Sequence, residues 1–567
     1  MITQKRSLRV LLCMFPLILL VIMLRNYSTN IPFMDQWSFV PVLEKMVQNT
    51  LTFHDLWVQH NEHRIFFPKI IMLVLAKLTN WNIYFELTAN IVLGVFIYLI
   101  VVRSILKTKE IINHWILCIL SSFFIFSLVQ WENWTWGWQI QIFLNVLSVF
   151  VSLYSFCLHK NNKNGYIITI IFGIIATFSF ANGVFIWPII LLILTIDPSI
   201  SIQEKSMKFL VFLSATLLNI FLFFYGYQKL GSLSSGFQPW VFIKYFFAYL
   251  GSPIGGFDGR VSIICGGLSF IAYSLIAFKI LFKKRFRTDG TLFWFSTSLY
   301  PILSGILSAI GRSILGYEQA LSSRYTTISN MYWISLITLI IMFEDYFKVT
   351  QLFKSKLGTK FKTVVLLIVV VLFILNSGVS YQRWVAHYND LHPLENELLA
   401  CNESNFNRAL HDINWLKSSL VELNNTKLSI FSFKREKIRE VSIPSSSNID
   451  LIRGNLSETS LTKNGCLQIS GWVIDAERNA PVSRVVAAIN NEIIMTSSMT
   501  VERPDIIAHF NNPNLLKSGW WLEISGAFLP IGISKIDLYG VRDNKKYFKF
   551  GTVNIQVEDS ETIFAPE

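Results

Sequence analysis

Apolar runs long enough to cross a membrane recur through the first 380 residues, parted by short clusters of Lys and Arg. A bilayer core needs about 20 apolar residues per helix, and only closed backbone hydrogen bonding survives in it. A chain patterned this way is restricted to a polytopic helical membrane protein. Composition supports the restriction: 52% of the 567 residues are hydrophobic, 15% are charged, and mean hydropathy is +0.47. A soluble globular domain does not carry that balance. The net charge of +13 sits in short basic clusters between apolar runs, which reads as a topology signal and not as a nucleic-acid face.

Lys5, Arg6 and Arg9 precede the run from Val10 to Leu24, and no small-residue cleavage site follows. A retained anchor with a cytoplasmic N-terminus is therefore expected. Further spans are expected at about 83–106, 115–131, 138–158, 166–181, 184–197, 207–228, 261–282, 291–310, 325–344 and 363–380. That makes eleven, with an interfacial or re-entrant helix at 67–78 and a half-buried one near 239–254. Every other loop is then cytoplasmic and basic: Arg103, Lys107 and Lys109; Lys160 and Lys163; Lys205 and Lys208; Lys283, Lys284, Arg285 and Arg287; and Lys348 to Lys362. The alternation requires a turn at Ala181-Asn182-Gly183, because one merged helix there would invert every later loop.

After Tyr381 the chain becomes polar. Residues 382–425 show helical, amphipathic spacing and belong to a linker over 381–454. From about Asn455 short strand patterns follow: Cys466 to Ile474, Val482 to Ile489, Glu492 to Ser497, Gly519 to Ser525, Lys535 to Tyr539 and Tyr547 to Val553. These predict a small extracytoplasmic β-sandwich over 455–560, with Trp472 and Trp520 as core. Four of the six cysteines lie in apolar runs and Cys401 and Cys466 stand alone, so no disulfide framework emerges.

The polar residues that remain mark candidate chemistry. The loop after the first span, about 26–67, carries Phe33-Met34-Asp35-Gln36-Trp37 and His60-Asn61-Glu62-His63-Arg64. Asp35 suits a general base on a hydroxyl, or an N-cap of the segment behind it. His60 and His63, spaced i, i+3, suit one helix face and a metal, although the third ligand is missing. The same cluster also suits a wall for sugar hydroxyls, with Arg64 as a phosphate fork. Trp131-Glu132-Asn133-Trp134 follows the third span and offers aromatic faces beside a carboxylate. Arg312 and Ser323-Arg324-Tyr325 put positive charge on the external side, against the topology rule, where an anionic partner is expected.

Together these features resemble the GT-C superfamily of integral membrane glycosyltransferases. The resemblance covers roughly residues 1–380 and rests on the external first loop, the interfacial helices and the span number. Its motifs are Phe-Met-Asp35-Gln-Trp, His60-Asn-Glu-His-Arg64, Gln130-Trp-Glu132-Asn, Ala181-Asn-Gly183 and Ser323-Arg324-Tyr325. The tail from about 455 resembles the β domain appended to some bacterial membrane glycosyltransferases. The resemblance implies inverting transfer of one sugar from a polyprenyl-phosphate donor to a glycan or glycolipid acceptor outside the cytoplasmic membrane. Asp35 would be the base, Arg324 with Arg312 or Arg64 would hold the phosphate, and Gln36, Trp37, His60, Glu62, His63, Glu132 and Tyr325 would line the substrate site. A second acid would have to be Glu44, Asp55 or Glu62, so no metal set is assigned and a divalent cation stays compatible with the pattern.

Two other classes compete. A lipid-linked polysaccharide polymerase or ligase usually carries its reactive Arg and His in a large late loop, whereas the dense cluster here follows the first span. A transporter or flippase calls for charges or breaks at mid-membrane in matched halves, and no internal repeat is present. An inert anchor for the β domain needs neither so many spans nor so many polar clusters.

Overall fold

Each apolar run becomes a helix. The computed structural model describes residues 2–111, 114–160, 163–228, 238–343, 356–400, 452–461, 466–499, 501–525, 532–542 and 546–557, with a few single positions between 419 and 429. In chain order the helices are α1 (Ile2–Asn26), α2 (Val40–Val47), α3 (Phe53–Trp57), α4 (Phe66–Thr79), α5 (Ile83–Lys107), α6 (His114–Ile125), α7 (Trp131–Thr135) and α8 (Ile140–Leu158). They continue as α9 (Lys163–Thr177), α10 (Ile186–Ile196), α11 (Ile202–Phe224), α12 (Pro239–Gly255), α13 (Gly259–Phe282), α14 (Asp289–Arg312), α15 (Thr326–Met342), α16 (Lys356–Ala400) and α17 (Pro504–Phe510).

Among the described residues, nine helical stretches are long and apolar enough to cross a membrane. The runs expected at 166–181 and 184–197 form helices too short for that test, Asn164–Thr177 and Ala181–Ile196. The expected interfacial and half-buried helices are α4 and α12. The span expected at 363–380 and the first part of the amphipathic stretch behind it, as far as Ala400, are one helix, α16. Most of the expected linker beyond it, and the loop residues Lys348 and Lys354, lie outside the described residues.

The chain divides into two units. The first comprises Met1–Thr29, Gln48–Thr79 and Ile83–Asn389. Its burial is graded: the membrane-length windows at Gly137–Leu158 and Ser323–Met342 are 83% and 72% buried, whereas those at Ile202–Phe224 and Leu367–His392 are 22% and 17% buried. Helices α8 and α15, together with α14, are therefore the centre, and the outer helices turn apolar faces outward, as lipid contact demands.

Apolar helices gain nothing from leaving lipid for one another, so polar groups and close packing must hold the centre. Thr297 and Ser335 share a hydrogen bond of 2.9 Å between α14 and α15. The Tyr300 hydroxyl donates to Asn145 Oδ1, and Asn145 Nδ2 donates to the Ala176 carbonyl at 2.8 Å, which ties α14 to α8 and α8 to α9. Asn330 Nδ2 reaches the Phe124 carbonyl at 2.9 Å, joining α15 to α6. The expected turn after α9 depends on Gly183: a Cβ there would stand 1.9 Å from the Ala176 carbonyl oxygen. At the N-terminal end of α14, Lys160 Nζ donates to Asp197 Oδ2 at 2.9 Å, to Ser199 Oγ at 2.6 Å and to Asp289 Oδ1. Burial alone would raise the Asp197 carboxyl, but Ser199 and Lys160 together hold it below the usual range.

The second unit comprises Asn30–Val47, Asn80–Asn82 and Asp390–Glu567. Its β region holds two antiparallel four-stranded sheets. One joins β1 (Ile452–Leu461), β2 (Cys466–Asp475), β3 (Ala480–Pro481) and, after β4 (Arg484–Ile489) and β5 (Glu492–Ser498), β6 (Gly519–Ser525), which pairs with β2. The other has the order β5-β4-β7-β8, with β7 at Gly532–Arg542 and β8 at Lys546–Val557. All six expected strands are present. Strand β1 begins inside the expected linker; Ile452–Leu461 lacks apolar alternation, and its backbone pairing with β2 makes it a strand. Leu467, Ile469, Val473, Trp520 and Leu522 of one sheet share a core with Val485, Ala487, Ile536 and Leu538 of the other. Trp520 is core, and Trp472 packs on Phe510 at 5.8 Å.

Gly266 on α13 tests the close packing directly, since a Cβ there would lie 1.9 Å from the Phe247 carbonyl oxygen of α12. Gly266→Val is expected to cost about 2 kcal/mol or more through overpacking. Thermal melts of the detergent-purified protein measure this, and an unchanged melt would refute the close α12–α13 crossing.

Candidate functional site

The loop between α3 and α4 is braced by two cations, Arg64 and Lys69, that donate to backbone carbonyls. Thr52 N and Thr52 Oγ1 donate to Asp55 Oδ2 at 2.9 and 2.6 Å, an N-terminal cap that occupies Asp55. Lys69 on α4 sends its ammonium to the Asp55 and Val58 carbonyls, both at 3.0 Å. Arg64 is only 3% exposed. Its Nε donates to the Phe223 carbonyl at 2.6 Å, one terminal nitrogen donates to the Trp57 carbonyl at 2.9 Å, and the other donates to the Tyr225 carbonyl. It caps the carbonyl end of α11 and stacks over Trp57. The phosphate fork expected of Arg64 is corrected here: its donors are committed to main chain.

Between these clamps, His60 and His63 close a tight turn through reciprocal backbone hydrogen bonds of 2.8 and 2.9 Å. Asn61 takes a φ of +48° at its tip, a conformation that Asn tolerates better than most residues. The two His do not share a helix face as their spacing suggested. His60 packs against Trp138, with ring centroids 4.9 Å apart, and His63 stacks on Phe180 at 4.2 Å.

Glu62 projects from this turn. Arg312, the last residue of α14, donates to Glu62 Oε1, and His63 Nε2 lies 3.7 Å from the same oxygen. The Ala181 amide lies 3.2 Å from His63 Nδ1, which leaves Nε2 as the ring nitrogen that faces Glu62. Burial works to raise the Glu62 carboxyl, but His63 and then Arg312 outweigh it and hold the group below its usual range. Arg312 also lies within electrostatic reach of Tyr325 and Tyr245. Those two hydroxyls meet at Gln319: Tyr245 donates to Oε1 at 2.5 Å, and Nε2 donates to the Tyr325 oxygen at 2.9 Å. Tyr245 and Gln319 escaped the sequence reading because each stands alone among apolar or mixed residues, with no motif to mark it.

Arg324, adjoining Tyr325, belongs to a second knot. Glu132 Oε2 accepts from Ser323 Oγ at 2.5 Å, from Ser322 Oγ at 3.2 Å and from the Arg324 amide at 3.2 Å. The carboxylate thus caps the amide end of the turn that enters α15, where negative charge is favoured. Arg324 Nε stands 3.8 Å from Glu132 Oε1 and donates to Ser322 Oγ at 3.1 Å, with its guanidinium over Trp136. Asn133 Nδ2 donates to the Arg324 carbonyl at 3.0 Å and to Thr327 Oγ1 at 2.6 Å, and Thr327 donates to Gln130 at 2.6 Å. Glu132 is therefore first a structural joint between α7 and α15, and Arg324 keeps a side chain 31% exposed.

These contacts bring His60, Glu62, His63, Glu132, Arg312, Arg324 and Tyr325 into linked positions of the first unit. Asp35, Gln36 and Trp37 belong to the second unit. There, Met34–Phe39 forms a 3-10 helix entered through a positive φ at Met34. Asp35 lies inside its first turn and not at its cap. Gln36 Oε1 accepts from the Phe33 amide at 3.1 Å and is buried, as is Trp37. Among the described residues no group of three or more His, Cys, Asp or Glu side chains gathers as a metal site. No family model, curated protein or solved structure matches the chain.

Two measurements test this geometry. Glu132→Ala strands three donors at the entrance to α15 and is expected to cost about 2 kcal/mol or more in a thermal melt. Burial pushes Lys69 down to about 8 from an ordinary 10.5, against the attraction of Asp55 and with the repulsion of Arg64. The unfolded chain then binds more protons between those values, so stability rises as pH climbs from about 8 toward 10.5. Melts across that range should show the rise, and Lys69→Met should flatten it.

Proposed function

We propose that the chain is an integral membrane glycosyltransferase of the GT-C kind, with eleven spans, a cytoplasmic N-terminus and an extracytoplasmic β-sandwich. It moves one sugar from a polyprenyl-phosphate carrier to a hydroxyl of a glycan or glycolipid acceptor outside the cytoplasmic membrane. The observation that carries this reading is the arginine pair Arg312 and Arg324. Their side chains are 34% and 31% exposed and stand among hydroxyl and aromatic groups at one end of the helical unit. Partly desolvated guanidinium groups of this kind suit phosphate, and aromatic faces beside polar groups suit sugar rings.

In this mechanism Asp35 accepts the proton of the acceptor hydroxyl. The new bond from acceptor oxygen to anomeric carbon forms as the carbon–oxygen bond to phosphate breaks. Polyprenyl phosphate departs with the electron pair, and the anomeric centre inverts. Arg324 and Arg312 stabilise the charge growing on the leaving phosphate. His60, His63 and Tyr325 contact the sugar, Glu132 holds Arg324 in place, and Glu62 pairs with Arg312 before the donor arrives.

The test is Asp35→Asn in proteoliposomes supplied with a panel of labelled polyprenyl-phosphate hexoses and pentoses. Transfer is expected to fall at least about 100-fold, as for loss of a general base, with an unchanged melting temperature. Unchanged transfer would remove Asp35 as the base.

A further inference from the structure

We propose that Glu62 is the resident occupant of an anion site built around Arg312, and that an arriving phosphate displaces its carboxylate from that arginine. The inference rests on the reading of the chain as a protein that handles a lipid-linked phosphate, and it deepens that reading by assigning the resting state of the site.

Arg312 ends α14, where a cation is favoured by the helix dipole. It is only about a third exposed, so leaving it unpaired would be costly. Glu62 supplies the counter-charge while the site holds no ligand. The pair is nonetheless open to solvent, since the Glu62 side chain is 38% exposed, and an anion has access to it.

The loop geometry allows exchange without unfolding. The backbone on either side of Glu62 is fixed by the His60–His63 hydrogen bonds and by Arg64, so only the carboxylate has to move. It has a second partner to turn to, because His63 Nε2 lies 3.7 Å from Oε1. The vacated guanidinium then offers a fork of donors that a phosphate fills with several oxygens and more charge than one carboxylate. Tyr325 adds a further donor. Its hydroxyl oxygen is occupied by Gln319 Nε2, but the acceptor for its proton, Gln319 Oε1, is 3.4 Å away, a poor bond that a phosphate oxygen improves on.

A phosphate monoester on an isoprenoid and free inorganic phosphate share this chemistry, so the experiment uses both. Binding of farnesyl phosphate and of inorganic phosphate is measured by calorimetry on the full-length protein in nanodiscs, with no sugar transfer involved. Glu62→Gln removes the competing charge and is expected to tighten farnesyl phosphate by about tenfold or more, the scale of one charged hydrogen bond. Adding Arg312→Ala should erase that gain. Tightening of farnesyl phosphate alone assigns the site to a lipid phosphate, and parallel tightening of both probes assigns it to the phosphate group by itself. Unchanged or weaker binding by Glu62→Gln overturns the proposal, as does a double variant that keeps the gain. Wild-type protein gives an independent reading: carbodiimide labelling of Glu62, mapped by peptide mass spectrometry, should rise when farnesyl phosphate is present, and no rise overturns the proposal even if the variants fail to fold. Normal transfer by Asp35→Asn would sink the base assignment and leave these binding results standing.

Discussion

The carboxylate of Glu132 gathers Ser322, Ser323 and the Arg324 amide at the point where α15 begins, and the geometry around Arg324 depends on it. A helix start in a membrane protein exposes amide donors that lipid cannot satisfy, so each must find a partner within the protein. From α7, Glu132 accepts from the Arg324 amide, and Asn133 donates to the Arg324 carbonyl and the Thr327 hydroxyl. In doing so they set the depth and rotation of α15, which carries Thr327 and Asn330 into the centre of the bundle. Arg324 and Tyr325 are held in the connection above.

The first loop follows the same logic with opposite charge. Arg64 and Lys69 look like binding residues by type, yet both spend their donors on main-chain carbonyls, and those bonds hold the His60–His63 turn against the end of α11. Buried cations that serve as backbone caps bring a rigid loop at the expense of desolvation, which is visible in the depressed Lys69 ammonium. The groups left accessible for a ligand, Glu62 and Arg312, pair with each other through their side chains. At the other end of α14, Lys160 joins Asp197 and Asp289 in a compact ionic joint, so that the helix is fixed at both of its ends.

Much of the architecture was legible in the sequence. Apolar run length located every long helix, and the Gly183 turn followed from charge alternation, because helices in lipid are specified by local composition and need no partner to be recognised. Strand alternation likewise gave six strands of the β region. The misses were of another kind. The polar strand β1 exists through pairing with β2, which no local pattern marks.

Among the candidate site residues, the sequence by itself determined which chemistry was present: carboxylates, His and Arg concentrated in the first loop, before α7 and around α15. Only the tertiary structure decided how those groups are used. Arg64 and Arg312 are the same residue type, but one faces the carbonyl end of α11 and the other faces Glu62. A side chain's partners are set by helices distant in sequence, 159 residues away for Arg64 and 250 for Arg312. No local pattern encodes a contact across that separation, because it arises only when the packed centre of the bundle brings the helix ends together.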